Sequence, residues 1–147
     1  MTKFSVVATS SLLAIALPGF ALAEGDPAAG ADKFKRQCTV CHVVVDPDGT
    51  VISGRKARTG PNLYGVVGAT MGTQEDFRYG KSMEEAGEEG YTFTEENFTA
   101  YVQDPTGFLS ELLDDKRARS KMAFRVKTPE DAADIYAFLA QHGADAE

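Results

Sequence analysis

Tryptophan is absent from this 147-residue chain, and cysteine and histidine occur only twice each. Positive charge is scarce: 15 basic residues stand against 22 acidic ones, for a formal net charge of −7. A chain so acidic argues against nucleic acid as a ligand, because phosphates need net positive contacts. After residue 23 no apolar run is long enough to span a bilayer, which excludes a membrane-spanning helix there. There is no internal repeat, no low-complexity tract and no alternation of strand and helix patterns of the kind that builds a parallel sheet.

What is present begins with an export pattern. Met1-Thr2-Lys3 is a short positive region, Phe4 to Phe20 is apolar apart from Ser and Thr, and Ala21-Leu22-Ala23 is a small-x-small cleavage site. The apolar run is short and contains Pro18 and Gly19. It reads as a signal peptide over residues 1–23, cleaved after Ala23, and not as a membrane anchor. Residues 24–147 then form one compact domain that works in the periplasm. Cleavage removes a single charged residue, Lys3, and takes the net charge to −8.

Cys38-Thr39-Val40-Cys41-His42 carries the chemistry. Cys-x-x-Cys-His is the spacing of a c-type haem attachment site. Two thiols three positions apart on one helical turn can each form a thioether to one haem vinyl group. The adjacent histidine then turns its imidazole onto the iron. Cys-x-x-Cys alone also marks redox disulfides, so a thiol–disulfide oxidoreductase using Cys38 and Cys41 is the rival reading. The lack of a thioredoxin-like strand–helix alternation counts against it.

Around this motif the pattern is helical with long loops. Asp26-Pro27 starts a helix, with Asp as N-cap and Pro at the first helical position, that runs to about Cys38. Residues 43–62 read as a loop with an Asp46-Pro47-Asp48-Gly49 turn, Leu63 to Val67 as a short turn or helix, and Gly68 to Tyr79 as loop. Helices follow from about Lys81 to Glu88, from Glu95 to Asp104 behind a Thr94 cap and before Pro105, and near Gly107 to Leu113. Thr128-Pro129 opens the last helix, whose apolar face carries Ile135, Phe138 and Leu139. So much loop in one small domain needs an organising body; a buried porphyrin would supply one, and so would another cofactor.

A six-coordinate haem needs a second axial ligand. The candidates are Met71, Met83, Met122 and His142. A thioether is a soft ligand that raises the potential, as electron transfer requires, yet any methionine can simply fill core. A haem-based sensor or gas-binding protein, with an open sixth position, is the second rival.

Thr59-Gly60-Pro61-Asn62-Leu63-Tyr64-Gly65, Tyr101-Val102-Gln103-Asp104-Pro105 and Lys121-Met122-Ala123-Phe124, in this order after the haem motif, resemble the signature segments of class I cytochromes c. The long loops before Thr59 and Lys121 resemble the bacterial cytochrome c2 branch. The resemblance spans about Gly25 to Gln141. It implies an all-α class I cytochrome c fold around one covalent haem c, held by Cys38 and Cys41, with His42 and Met122 as axial iron ligands. It further implies that the Pro61 carbonyl accepts a hydrogen bond from His42, that Tyr101 packs near the Met122 sulfur, and that Tyr79 bonds a haem propionate. Gly30 and Phe34 would cross the last helix near Ile135 and Phe138. The implied function is that of a monomeric electron carrier, not an enzyme. Its donor would be a cytochrome bc-type complex, and its acceptor a photosynthetic reaction centre or a cytochrome oxidase.

Two positions depart from the family. Phe93 stands where a tryptophan usually donates to a propionate, and Ala69 where an arginine is usual. Losing both donors leaves a carboxylate less compensated; Arg55, Arg58 and Arg78 are the candidates to replace them. Charge is also segregated. Six basic residues lie between Lys33 and Arg58 and six between Lys116 and Lys127, while ten acids lie between Glu75 and Glu111. Lys33, Lys35, Arg36, Lys121 and Arg125 flank the segments of the two axial ligands, so they are expected to ring the exposed haem edge and steer docking.

Overall fold

A computed structural model describes residues 25–55 and 57–143; the expected signal peptide and its cleavage site lie outside them. Among the described residues there are five helices: α1 (Pro27–Gln37), α2 (Lys81–Glu88), α3 (Glu95–Gln103), α4 (Pro105–Leu112) and α5 (Pro129–Ala140). The first and last begin as their sequences dictate. Asp26 accepts hydrogen bonds from the Ala28 and Ala29 amides at 2.8 and 3.2 Å, and Thr128 accepts one from Asp131 at 3.2 Å. Each is followed by a proline whose missing N–H costs the first turn nothing.

Pro105 both ends α3 and starts α4, two residues before the expected start near Gly107. Asp104 serves as the N-cap, accepting from the Gly107 amide at 3.1 Å. The segment expected as plain loop from 43 to 62 holds a small antiparallel hairpin, β1 (Val44–Val45) with β2 (Val51–Ser53). Its turn is closed by Asp46, whose backbone and side chain both bond Thr50. Leu63 to Val67 is a turn.

The core sits where α1 crosses α5. Gly30 is buried there because a Cβ would collide with the Asp134 carbonyl and come within 2.9 Å of the Phe138 Cβ. That close approach brings Phe34 and Phe138 into contact at 5.4 Å between ring centroids. Phe34 is fully buried, and truncating such a side chain to alanine typically costs about 3–5 kcal/mol.

Lys33 tightens the crossing with ion pairs to Asp131 at 2.8 Å and Asp134 at 2.5 Å. Hydrogen bonds from Lys33 hold both carboxyls below the ordinary carboxylate range, and the same bonds raise the Lys33 ammonium above its ordinary value. A carboxyl depressed in the folded state stabilises above its unfolded value and loses that contribution as pH falls through the folded value. Lys33 contributes below its unfolded value and stops as pH rises through its raised one. The melting-temperature gap between the unaltered protein and Lys33→Met is therefore expected to be widest near neutral pH. It should narrow as pH falls below the ordinary Asp value of 3.8, followed by circular dichroism melts from pH 7 to pH 2. A gap constant across that range would contradict the pairing.

Candidate functional site

The C-terminus of α1 delivers the Cys-x-x-Cys-His motif. The Cys38 N–H still bonds back to the Phe34 carbonyl, and the Cys38 carbonyl then accepts from both the Cys41 and His42 amides at 3.0 and 2.9 Å. The chain thus makes one further turn that sets Cys38, Cys41 and His42 against one cavity of about 470 Å³. No disulfide joins Cys38 to Cys41. Burial, reinforced by the neighbouring Cys41, pushes the Cys38 thiol up to about 12.

The loop after β2 approaches this turn from the other side. Gly60 donates to the Cys41 carbonyl at 2.8 Å, and no other residue fits at 60, because a Cβ would run into the His42 ring. The Pro61 carbonyl lies 3.0 Å from His42 Nδ1. A carbonyl can only accept, so Nδ1 carries the proton and Nε2 keeps its lone pair. Burial lowers the His42 pKa, partly opposed by that bond, which favours the neutral ring a metal needs.

Two of the four candidates for the sixth position line the same cavity, Met122 and Met83. Met71 is fully buried away from it, and His142 stacks edge-on against Phe138 at 4.8 Å. Met83 is fixed in α2. Met122 sits on a segment without regular secondary structure, its amide bonded to Ser120 Oγ at 3.0 Å. Ser120 Oγ is in turn 2.9 Å from the Tyr101 hydroxyl. Ser120 is a site residue that sequence reasoning missed; only its place two residues before Met122 could have pointed to it.

Tyr101 and Tyr79 both line the cavity. Burial raises Tyr101, partly offset by the Ser120 bond, and burial pushes Tyr79 up to about 12, so both phenols stay protonated. Phe93 also faces the cavity, edge-on to Tyr101 at 5.7 Å. None of Arg55, Arg58 and Arg78 lines it; the cations that do are Arg36, Arg119 and Lys121.

The expected ring of docking charges is also revised. Lys33 is taken up in the α1–α5 ion pairs, and Arg125 pairs with Asp104 at 2.7 Å. Lys35 and Arg36 remain exposed in the last turn of α1. Lys121 lies across the cavity rim, its Nζ donating to the Arg78 carbonyl at 2.5 Å and sitting 5.9 Å from the Phe77 ring centroid. Two apolar side chains at the cavity, Val40 and Phe124, are 80% and 45% exposed, so the rim opens to solvent through an apolar edge.

The residues fit a haem. The walls are mostly apolar, and a lone pair on a neutral imidazole, a thioether sulfur and two cysteine side chains all belong to the same cavity. Such a nitrogen and sulfur donor set is one that haem iron takes. Among the described residues no cluster of three or more His, Cys, Asp or Glu could hold a metal ion instead, and no helix is long and apolar enough to cross a membrane.

No protein-family model matches the chain. Similarity to individual proteins is extensive. The chain is 55% identical over 141 residues to cytochrome c2 of Cereibacter sphaeroides, covering 95% of this chain and 96% of that protein. It is 44% identical over 147 residues to cytochrome c-550 of Paracoccus denitrificans, covering 98% and 91%. The crystal structure of cytochrome c2 from Rhodobacter sphaeroides superposes with a TM-score of 0.78 at 56% identity, over 81% of this chain and 97% of that one. With haem motif, cavity and fold in agreement with these relatives, the chain belongs to the cytochrome c2 family, class I c-type cytochromes that carry electrons on a single covalently attached haem c.

Proposed function

We propose that the protein is a soluble periplasmic carrier, exported by residues 1–23 and cleaved after Ala23. It would take single electrons from a cytochrome bc-type complex and deliver them to a photosynthetic reaction centre or a terminal oxidase. In this reading Cys38 and Cys41 hold the haem by thioethers, and His42 and Met122 are the axial iron ligands. One observation carries it: Cys38, Cys41, His42 and Met122 all line one apolar cavity with a solvent-exposed rim. When bound there, the haem supplies a one-electron couple.

The chain's own residues do the rest. Pro61 fixes the tautomer and orientation of His42 and raises its basicity. Tyr101 and Ser120 hold the Met122 backbone, so both ligands can be retained in either oxidation state. Phe93, Phe98 and Val66, each nearly inaccessible to solvent, keep the cavity dry. Val40 and Phe124 form the apolar edge at which a partner would approach, and Lys35, Arg36 and Lys121 supply the charge around it. Small, weak interfaces of this kind suit a shuttling carrier.

The test is a salt series. Attraction between the rim and an acidic partner raises the encounter rate and is screened over roughly 10 Å at 0.1 M salt. The second-order rate with an isolated reaction centre or oxidase is expected to fall as ionic strength rises, despite the net negative charge of the chain. Lys121→Glu should slow the low-salt rate by about tenfold, within the range that steering supplies, and more than Arg78→Glu. A rate that climbs with salt means that like-charge repulsion outweighs the rim, and the docking face is then misassigned.

A further inference from the structure

Asn62 makes a set of contacts that nothing in the ligand reading uses. Its side-chain amide lies against β1 as a peptide group would: Oδ1 accepts from the Val45 amide at 3.0 Å, and Nδ2 donates to the Val45 carbonyl at 2.8 Å. The same Oδ1 accepts from the Tyr64 amide at 3.1 Å. Beside it, Leu63 donates to the Val43 carbonyl at 2.9 Å and Gly60 to the Cys41 carbonyl at 2.8 Å. Residues 60–64 are thereby zipped to residues 41–45, with Asn62 supplying two of the bonds between them and a third that braces Tyr64 within its own segment. The His42 Nδ1 contact to Pro61 lies inside this zip.

We propose that Asn62 is a positioning residue for the axial histidine: by pairing its amide with both backbone groups of Val45, it sets the register that holds the Pro61 carbonyl on His42 Nδ1. Proline has no N–H of its own to anchor it, so the position of its carbonyl depends on its neighbours. Gly60 anchors one side, and on the other side Asn62 fixes three bonds with one rigid planar group. A histidine whose ring N–H is held by a carbonyl is a more basic ligand, and such outer partners tune metal sites. A more basic imidazole favours the ferric state. Loosening the zip should therefore raise the reduction potential of the loaded protein, although Asn62 itself does not line the cavity.

This inference rests on the reading of His42 as an iron ligand, and the experiment separates the two. Asn62→Ala and the milder Asn62→Ser are purified with haem attached. Reduction potential, melting temperature and hydrogen exchange at His42 Nδ1 by NMR are then measured. Thr128→Ala, a neutral and remote loss of the α5 cap, serves as the control for destabilisation alone. In Asn62→Ala the potential is expected to shift upward and Nδ1 exchange to quicken by about tenfold, the effect of one lost hydrogen bond. Asn62→Ser should shift both in the same direction by less, and it carries the test if Asn62→Ala fails to accumulate. Thr128→Ala should lower the melting temperature and leave potential and exchange unmoved. If the Asn62 variants behave like Thr128→Ala, Asn62 only braces the hairpin and the proposal is overturned. If the unaltered ferrous protein shows no haem ring-current displacement of the His42 resonances, the ligand reading has failed first, and the proposal falls with it.

Discussion

Met122→Ala is expected to erase completely the weak far-red absorption band that a methionine thioether gives with ferric haem iron. It should also let the ferric protein take up small ligands such as cyanide, and lower the reduction potential. The potential falls because a soft sulfur that favours ferrous iron is exchanged for water or hydroxide, which favour ferric. Met83→Ala is the decisive comparison, since Met83 shares the cavity whereas Met71 and His142 do not. The two methionines differ in support. Met83 is buried in the first turns of α2, where its backbone is fixed by helix hydrogen bonds. Met122 lies on a segment without helix bonds, anchored through Ser120 to Tyr101, as a residue requires whose side chain must reach inward from an exposed stretch. Met83→Ala and Met71→Ala should therefore keep the band and cost stability only, as buried methionine truncations do, by about 2–5 kcal/mol. A band that persists in Met122→Ala and vanishes in Met83→Ala would transfer the ligand role to α2. A ferric protein that takes up cyanide equally well before and after the substitution would favour a sensor with an open sixth position.

The parts of this site that were legible in the sequence are those set by local chemistry. Asp26-Pro27 and Thr128-Pro129 announce helix starts because capping needs only neighbours in the chain. The haem motif is readable because both thiols and the imidazole occupy one turn. Gly30 against Phe138 was legible only through the family resemblance. The hairpin at 44–53 went unread because strands of two and three residues carry too little alternation to register, although its turn residues were plain. The charges failed for a different reason. Lys33 looks like a free surface cation until the fold brings Asp131 and Asp134 to it from about a hundred residues away, and Arg125 is likewise claimed by Asp104. Asn62 stood within a recognised segment, but a side chain that imitates a peptide group has no signature in spacing. Its partner, Val45, is defined only once the hairpin exists.

Replacing both Cys38 and Cys41 by alanine is expected to abolish haem staining on a denaturing gel, and each single replacement to weaken it. Denaturation destroys the cavity and releases both axial contacts, so whatever haem stays with the chain is held by covalent bonds alone. On the proposed attachment each thiol secures one edge of the haem. A single variant keeps one thioether and part of the stain; the double variant keeps none. The rival use of the pair, reversible disulfide chemistry, makes a separate demand on the thiols. Redox-active Cys-x-x-Cys sites work through a thiolate whose pKa is lowered. Here burial and the neighbouring Cys41 push Cys38 the opposite way, to about 12, so the thiol stays protonated at neutral pH and is a poor nucleophile for exchange. His42, the cationic group a redox motif would use, is itself held towards its neutral form by burial. The unaltered protein should accordingly migrate as a stained band that reducing agent does not affect. A stain that survives in the double variant, or disappears on reduction of the unaltered protein, would overturn thioether attachment at these two positions.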